Sequence, residues 1–121
     1  MREILFRGKT LKTNKWVYGS CNLENTLAII SRCAVIPKTI GQYTGLKDKN
    51  GTKIFEFDIC KAYIHISKVG KKQLTGAICF EEGTFKFKCK RYIFNIYDLS
   101  ASIEVIGNAF DSPELLEGDK T

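Results

Sequence analysis

Apolar residues recur at every second position along much of this chain, and no other feature narrows its fold as much. In residues 58–67, Cys60, Ala62, Ile64 and Ile66 fall on one side of an extended backbone, and Lys61, Tyr63, His65 and Ser67 on the other. In residues 84–92, Phe85, Phe87 and Cys89 alternate with Lys86, Lys88 and Lys90. Successive side chains of a strand point to opposite faces, so each segment buries one face and hydrates the other. A helix would instead place its apolar residues three and four apart.

The same reading extends along the chain. "ILFR" and "KWVYG" flank the polar "GKTLKTN" and predict an N-terminal β-hairpin, with Trp16 and Tyr18 on one face of its second strand. "AICF" and "TFKFKCKRY" flank "EEG", a second hairpin signal, and "SIEVIGN" is a further short strand. "TLAIISRCAVIP" fits either a buried strand or a short helix. Its β-branched residues favour the strand, and Pro37 ends it. "KVGKKQLTG" reads as a glycine-bounded basic loop. In "DSPELLE", Asp111 or Ser112 can cap a helical turn with Pro113 first, leaving Leu115 and Leu116 to pin it onto the body or onto a partner. Six or seven short strands joined by glycine turns predict a mainly β fold: a small open barrel or a strongly bent antiparallel sheet. No β–α–β alternation is present, which argues against a nucleotide-binding α/β fold.

A length of 121 residues suggests one domain, and 44% hydrophobic residues can supply its core. The most apolar window, residues 27–36, is broken by Ser31 and Arg32 and is too short to span a bilayer. The apolar run after Met1 ends at Arg7, too soon for a signal peptide. The five cysteines (21, 33, 60, 79 and 89) are odd in number and form no C-x-x-C pair. They predict buried free thiols in a reducing, cytoplasmic compartment. The single histidine, His65, has no nearby ligand partner, so no metal site is expected. Residues 1–60 and 61–98 each carry a net charge of +5, and residues 99–121 carry −4. A basic body of this kind can attract nucleic acid, or it can serve solubility alone.

The stretch "TGLKDKNGTKIFEFD", residues 44–58, invites a chemical reading. A phosphate loop would need lysine directly after the second glycine and a helix beyond it, but Thr52 follows Gly51 and a strand-like segment follows that. A calcium loop would need its glycine at the sixth position, and counting from Asp48 it comes at the fourth. The remaining reading is a β-hairpin with a type I′ turn at Asn50–Gly51, in which Asp48, Asn50 and Gly51 are structural.

The run "IPKTIGQYTGLKDKNGTKIFEFDI", residues 36–59, resembles the signature of the YopX family of phage and prophage proteins. The opening "MREILFRGK" with "KWVYG", and the ending "EVIGNAFDSPELLE", resemble the family's two ends, so the likeness covers almost the full chain. It implies one YopX-like domain over 1–121, with an N-terminal subregion (1–40) and an SH3-like, barrel-like subregion (41–121). It implies no reaction, cofactor or catalytic residue. Where the family reads Glu-Gly-Asp, this chain has Glu56-Phe57-Asp58, and phenylalanine resists the special backbone angles that glycine permits.

Three functions compete. The first is a non-enzymatic binding or regulatory protein acting through protein contacts or self-association, with Leu115 and Leu116 as contact candidates. The second is a nucleic-acid-binding β domain. Its candidates are the basic residues Lys61, Lys68, Lys71, Lys72, Lys86, Lys88, Lys90 and Arg91, the strand lysines being about 7 Å apart, with Tyr63 and Tyr92 to stack on bases. The third is an enzyme, for which only Glu56, Asp58 and His65 offer acid–base groups. The expectation is that the protein is not an enzyme, uses no cofactor, takes no small-molecule substrate, touches no membrane and works in the cytoplasm of a bacterial host.

Overall fold

The computed structural model describes residues 2–99 and 102–117. Asp119 and Lys120 of the acidic end lie outside the described residues. The chain divides into two compact units, residues 1–45 and 46–121.

In the first unit, strand β1 (Phe6–Lys9) pairs antiparallel with β2 (Trp16–Gly19), as the flanking apolar runs predict. Thr10 closes the connecting loop, its hydroxyl accepting the amides of Thr13 and Lys15. A small second sheet follows, in the order β3 (Cys21–Glu24), β4 (Leu27–Ile30), β5 (Cys33–Ala34). Residues 27–36 are therefore two short strands, where the sequence suggested one strand or a helix. The break falls at Ser31 and Arg32, both at positive φ (52° and 65°), and Asn25 and Thr26 (48° and 69°) make the turn before it. These left-handed pairs match the twist of two-residue hairpins, but no glycine marks them. Ala28, Ile30 and Val35 form the unit's buried cluster, packed by Phe6, Val17, Cys21 and Ile40. A Cβ on Gly8 would come within 3.2 Å of Val35 Cβ, so glycine lets β1 lie close over Val35 without pushing it aside. One 3-10 turn (Pro37–Thr39) leads into β6 (Gly41–Lys47), whose first residues pair with β1.

In the second unit, the end of β6 turns back as β7 (Lys53–Phe55). A five-stranded antiparallel sheet then forms in the order β11–β10–β9–β8–β12. Its strands are β8 (Asp58–Ile66), β9 (Gly70–Glu81), β10 (Thr84–Lys88), β11 (Ile93–Asn95) and β12 (Ile103–Asn108). The predicted alternation sets its inner face: Cys60, Ala62, Ile64, Leu74, Ile78, Phe85, Phe87 and Ile103 are buried in one cluster, covered by Ile54, Ile96 and Leu99. Each large side chain fully enclosed here, such as Phe87, contributes about 1.5–3 kcal/mol of transfer free energy. A four-residue helical turn, α1 (Glu114–Glu117), closes the described chain.

Three expectations are corrected. No sheet closes or curls strongly, so there is neither a barrel nor an SH3-like barrel part. β11 and β12 stay at opposite edges of the five-stranded sheet, and alternation dictates a buried face without dictating closure. "KVGKKQLTG" is not a loop, because β9 begins at Gly70 and pairs with β8 from Ile66↔Gly70 to Ile59↔Ala77. The lysine row on β10 ends at Lys88, so Lys90 and Arg91 sit in the turn before β11, where the amide of Cys89 donates to the carbonyl of Tyr92.

Candidate binding surfaces

Residues 44–58 form a hairpin, and its tip is a clasp. Gly51 has a φ of 84°, and Asn50 is not among the residues at positive φ, so the turn is not type I′. The amide of Gly51 donates to the Asp48 carbonyl and that of Asp48 to the Thr52 carbonyl, which places the one left-handed residue at glycine. Asp48 is buried. Its Oδ1 accepts the amides of Asn50 and Thr52, each at 2.9 Å, and its Oδ2 accepts the amide of Val105 on β12 at 2.9 Å. The Lys49 amide donates to the Ile103 carbonyl, and Asn50 Nδ2 donates to Glu104 Oε2. Burial acts to raise the pKa of Asp48, but the amides of Val105, Thr52 and Asn50, with the Lys49 charge, outweigh it and hold the carboxyl below its usual value.

Asp58 is likewise bound to backbone: its Oδ2 accepts the Phe55 amide at 2.8 Å across the two-residue turn Glu56–Phe57. Phe57 takes a φ of 70°, in the left-handed region that glycine favours. Its amide donates to the Ile78 carbonyl, its carbonyl accepts the Ala109 amide, and its ring meets Phe110 edge-on at 5.4 Å. The bend survives because two backbone bonds and a ring contact hold it. Asp58 and His65 stand at opposite ends of β8, about 23 Å apart at strand rise, so the three acid–base candidates do not assemble.

The sequence-predicted basic residues separate into two groups on the five-stranded sheet. Lys86 and Lys88 project from β10 toward carboxylates: Lys86 Nζ lies 3.8 Å from Glu82, and Lys88 Nζ donates to Glu81 Oε2 at 3.0 Å. The hydrogen bond to Glu81 raises the pKa of Lys88, and the same bond, with that from the Cys79 thiol, lowers the pKa of Glu81. Burial first, then the bond to Glu81, pushes the Cys79 thiol up to about 11, so it is protonated at neutral pH. Lys61 sits opposite Glu104 in the β8–β12 register. Lys68, Lys71 and Lys72, at the far end of the β8–β9 hairpin, are exposed, as are Lys90 and Arg91. Tyr63 is exposed on the sheet's outer face, with Lys49 Nζ 5.5 Å from its ring centroid. Tyr92 is half-buried and stacks on Phe94.

Leu115 and Leu116 are half-buried. Leu115 Cδ1 lies 2.9 Å from where a Cβ on Gly107 would sit, so the final turn packs onto β12. Sequence reasoning missed the β3–β4 hairpin of the first unit. There Leu23 is 76% exposed and Leu27 48% exposed. β3 is an edge strand, paired through Cys21↔Ile30 to Glu24↔Leu27 with β4 alone among the described residues. Two shallow grooves on this unit share Ile29 and Arg32, one lined by Asn22 and Glu24 and the other by Thr10 and Lys12. The available signal was Leu23 standing out of phase with the apolar run that follows it. Among the described residues no helix is long and apolar enough to cross a membrane.

A family model described as "YopX protein" matches residues 7–117. The chain is similar to the crystal structure of protein EF1440 from Enterococcus faecalis, with a TM-score of 0.62 and 22% identity over 96% of this chain and 99% of that one. At that identity the likeness speaks for the fold alone. No curated protein matches the chain.

Proposed function

The chain belongs to the YopX family, and from that premise we propose a non-enzymatic binding or regulatory protein that acts through protein contacts, made by a phage or prophage and working in the cytoplasm of its bacterial host. The observation that carries this reading is the open edge of β3 with Leu23 exposed beside it. Natural sheets usually blunt such edges with lysine, proline or a bulge, and β3 carries only Glu24 for the purpose. An extended segment of a partner protein can pair with the free edge and set an apolar side chain against Leu23. The bonding of Asp48 and Asp58 is consistent with this reading, since both carboxylates serve the backbone.

The test is affinity capture from host lysate together with light scattering of the purified chain. The reading expects a specific captured protein or a concentration-dependent oligomer, and loss of either on Leu23→Lys, a change at an exposed position that leaves the fold intact. A strict monomer that captures nothing would end it, as would a Leu23→Lys variant that associates as well as the parent.

A further inference from the structure

The cations of the second unit differ in whether a carboxylate answers them. Lys86, Lys88 and Lys49 stand in ion pairs with Glu82, Glu81 and Glu104. Lys68, Lys71, Lys72, Lys90 and Arg91 have no ion pair among the described residues, and the sequence holds no acidic residue from 59 to 80 or from 83 to 97. The register places these five on one end of the sheet. The β8–β9 hairpin turns at residues 67–69, and the β10–β11 turn opens in the same direction, because Lys88 pairs with Ala77 and β9 runs on past that point to Gly70. On the outer face of the same hairpin, the cross-strand pairs His65–Lys71, Tyr63–Gln73 and Lys61–Thr75 follow one another at intervals of about 7 Å. Tyr63 thus stands exposed between cationic groups.

We propose that this hairpin end binds single-stranded nucleic acid, with Lys68 and Lys71 on phosphates and Tyr63 stacking on a base; Lys72, paired with Ile64, projects from the opposite face. Unpaired cations release condensed counterions when they meet phosphates, whereas a lysine already held by glutamate must first lose that partner. A single exposed tyrosine flanked by cations suits unstacked bases, whose faces are open to stacking. The contributing set is therefore narrower than the eight basic residues legible in the sequence: Lys86 and Lys88 drop out through their ion pairs, and Lys72 through its place opposite Ile64 on the other face. The proposal is independent of the β3 edge, since a strict monomer could still bind an oligonucleotide.

The test is fluorescence anisotropy with labelled dT and rU 20-mers and a DNA duplex of equal length, from 50 to 300 mM KCl. A single strand of either sugar is expected to bind more tightly than the duplex. Replacing Lys68 and Lys71 by serine should cut single-strand affinity at 50 mM at least tenfold and flatten the log–log salt slope by about 1.4, from roughly 0.7 per phosphate contact. Tyr63→Leu should cost about tenfold, as loss of one stacked base does, and leave the slope unchanged. Lys86→Ser with Lys88→Ser, of matched thermal midpoint, should change neither quantity more than twofold. Absence of single-strand binding at 50 mM overturns the proposal. So does preference for duplex, a neutral Tyr63→Leu, or equal loss from the Lys86 and Lys88 pair.

Discussion

Phe57 holds a φ of 70° with a large side chain, a conformation that costs non-glycine residues roughly 1–2 kcal/mol. The ring is kept in place by Phe110. Two substitutions separate strain from contact. Phe57→Ala keeps most of the strain and loses the ring pair, so the protein should be less stable. Phe57→Gly loses the same contact but relieves the angle, and should exceed the alanine variant by about 1 kcal/mol in urea unfolding. Thr26 offers the converse case: exposed, β-branched and at φ 69°. Thr26→Gly should raise stability by about 0.5–1 kcal/mol, after allowing for the entropy of the unfolded chain, and calorimetry would register a higher midpoint. These residues also explain where the sequence was hard to read. Asn25–Thr26, Ser31–Arg32 and Phe57 make left-handed turns without glycine, so the punctuation that revealed Gly51 and Gly83 was missing there.

At the level of elements, period-two patterning predicted the inner faces of β8 and β10 residue by residue, because beyond Cys60 each strand buries a single face of one sheet, while Ile59 at the start of β8 is buried on the other. It failed on β9. "KKQ" carries charge on both sides, since that part of the strand lies beyond the cover of β10, and both faces meet solvent until Leu74 enters the core. Closure into a barrel was not legible at all, because alternation reports which face is dry and is silent on whether the edges meet. The β3–β4 hairpin was hidden for a different reason: its apolar tip belongs to the surface, so burial patterning has nothing to say about it. Amide exchange should be fastest at the edge strand β3 in the free protein and slow there once a partner is bound. Unchanged exchange in β3 on complex formation would place the contact elsewhere.

For the whole molecule, the clasp at residues 48–52 links the β6–β7 hairpin to β12, elements far apart in sequence, through one carboxylate. The pKa of Asp48 is lower in the folded protein than in the unfolded chain. Its contribution to stability is therefore fully present above the unfolded value, near 3.9, and is lost as pH falls through the folded value. Asp48→Asn should remove that part of the acid dependence, so variant and parent converge at low pH. The same substitution gives the most direct measurement: urea unfolding at pH 7. Asparagine can accept with only one atom and turns an amino group toward the Val105 amide, leaving a buried donor unmet at a cost of about 1–3 kcal/mol. A loss of that size, with contacts through β3 intact in the folded variant, is the predicted result. Unchanged stability, combined with abolished partner capture, would contradict it and make this loop a recognition site instead of a clasp.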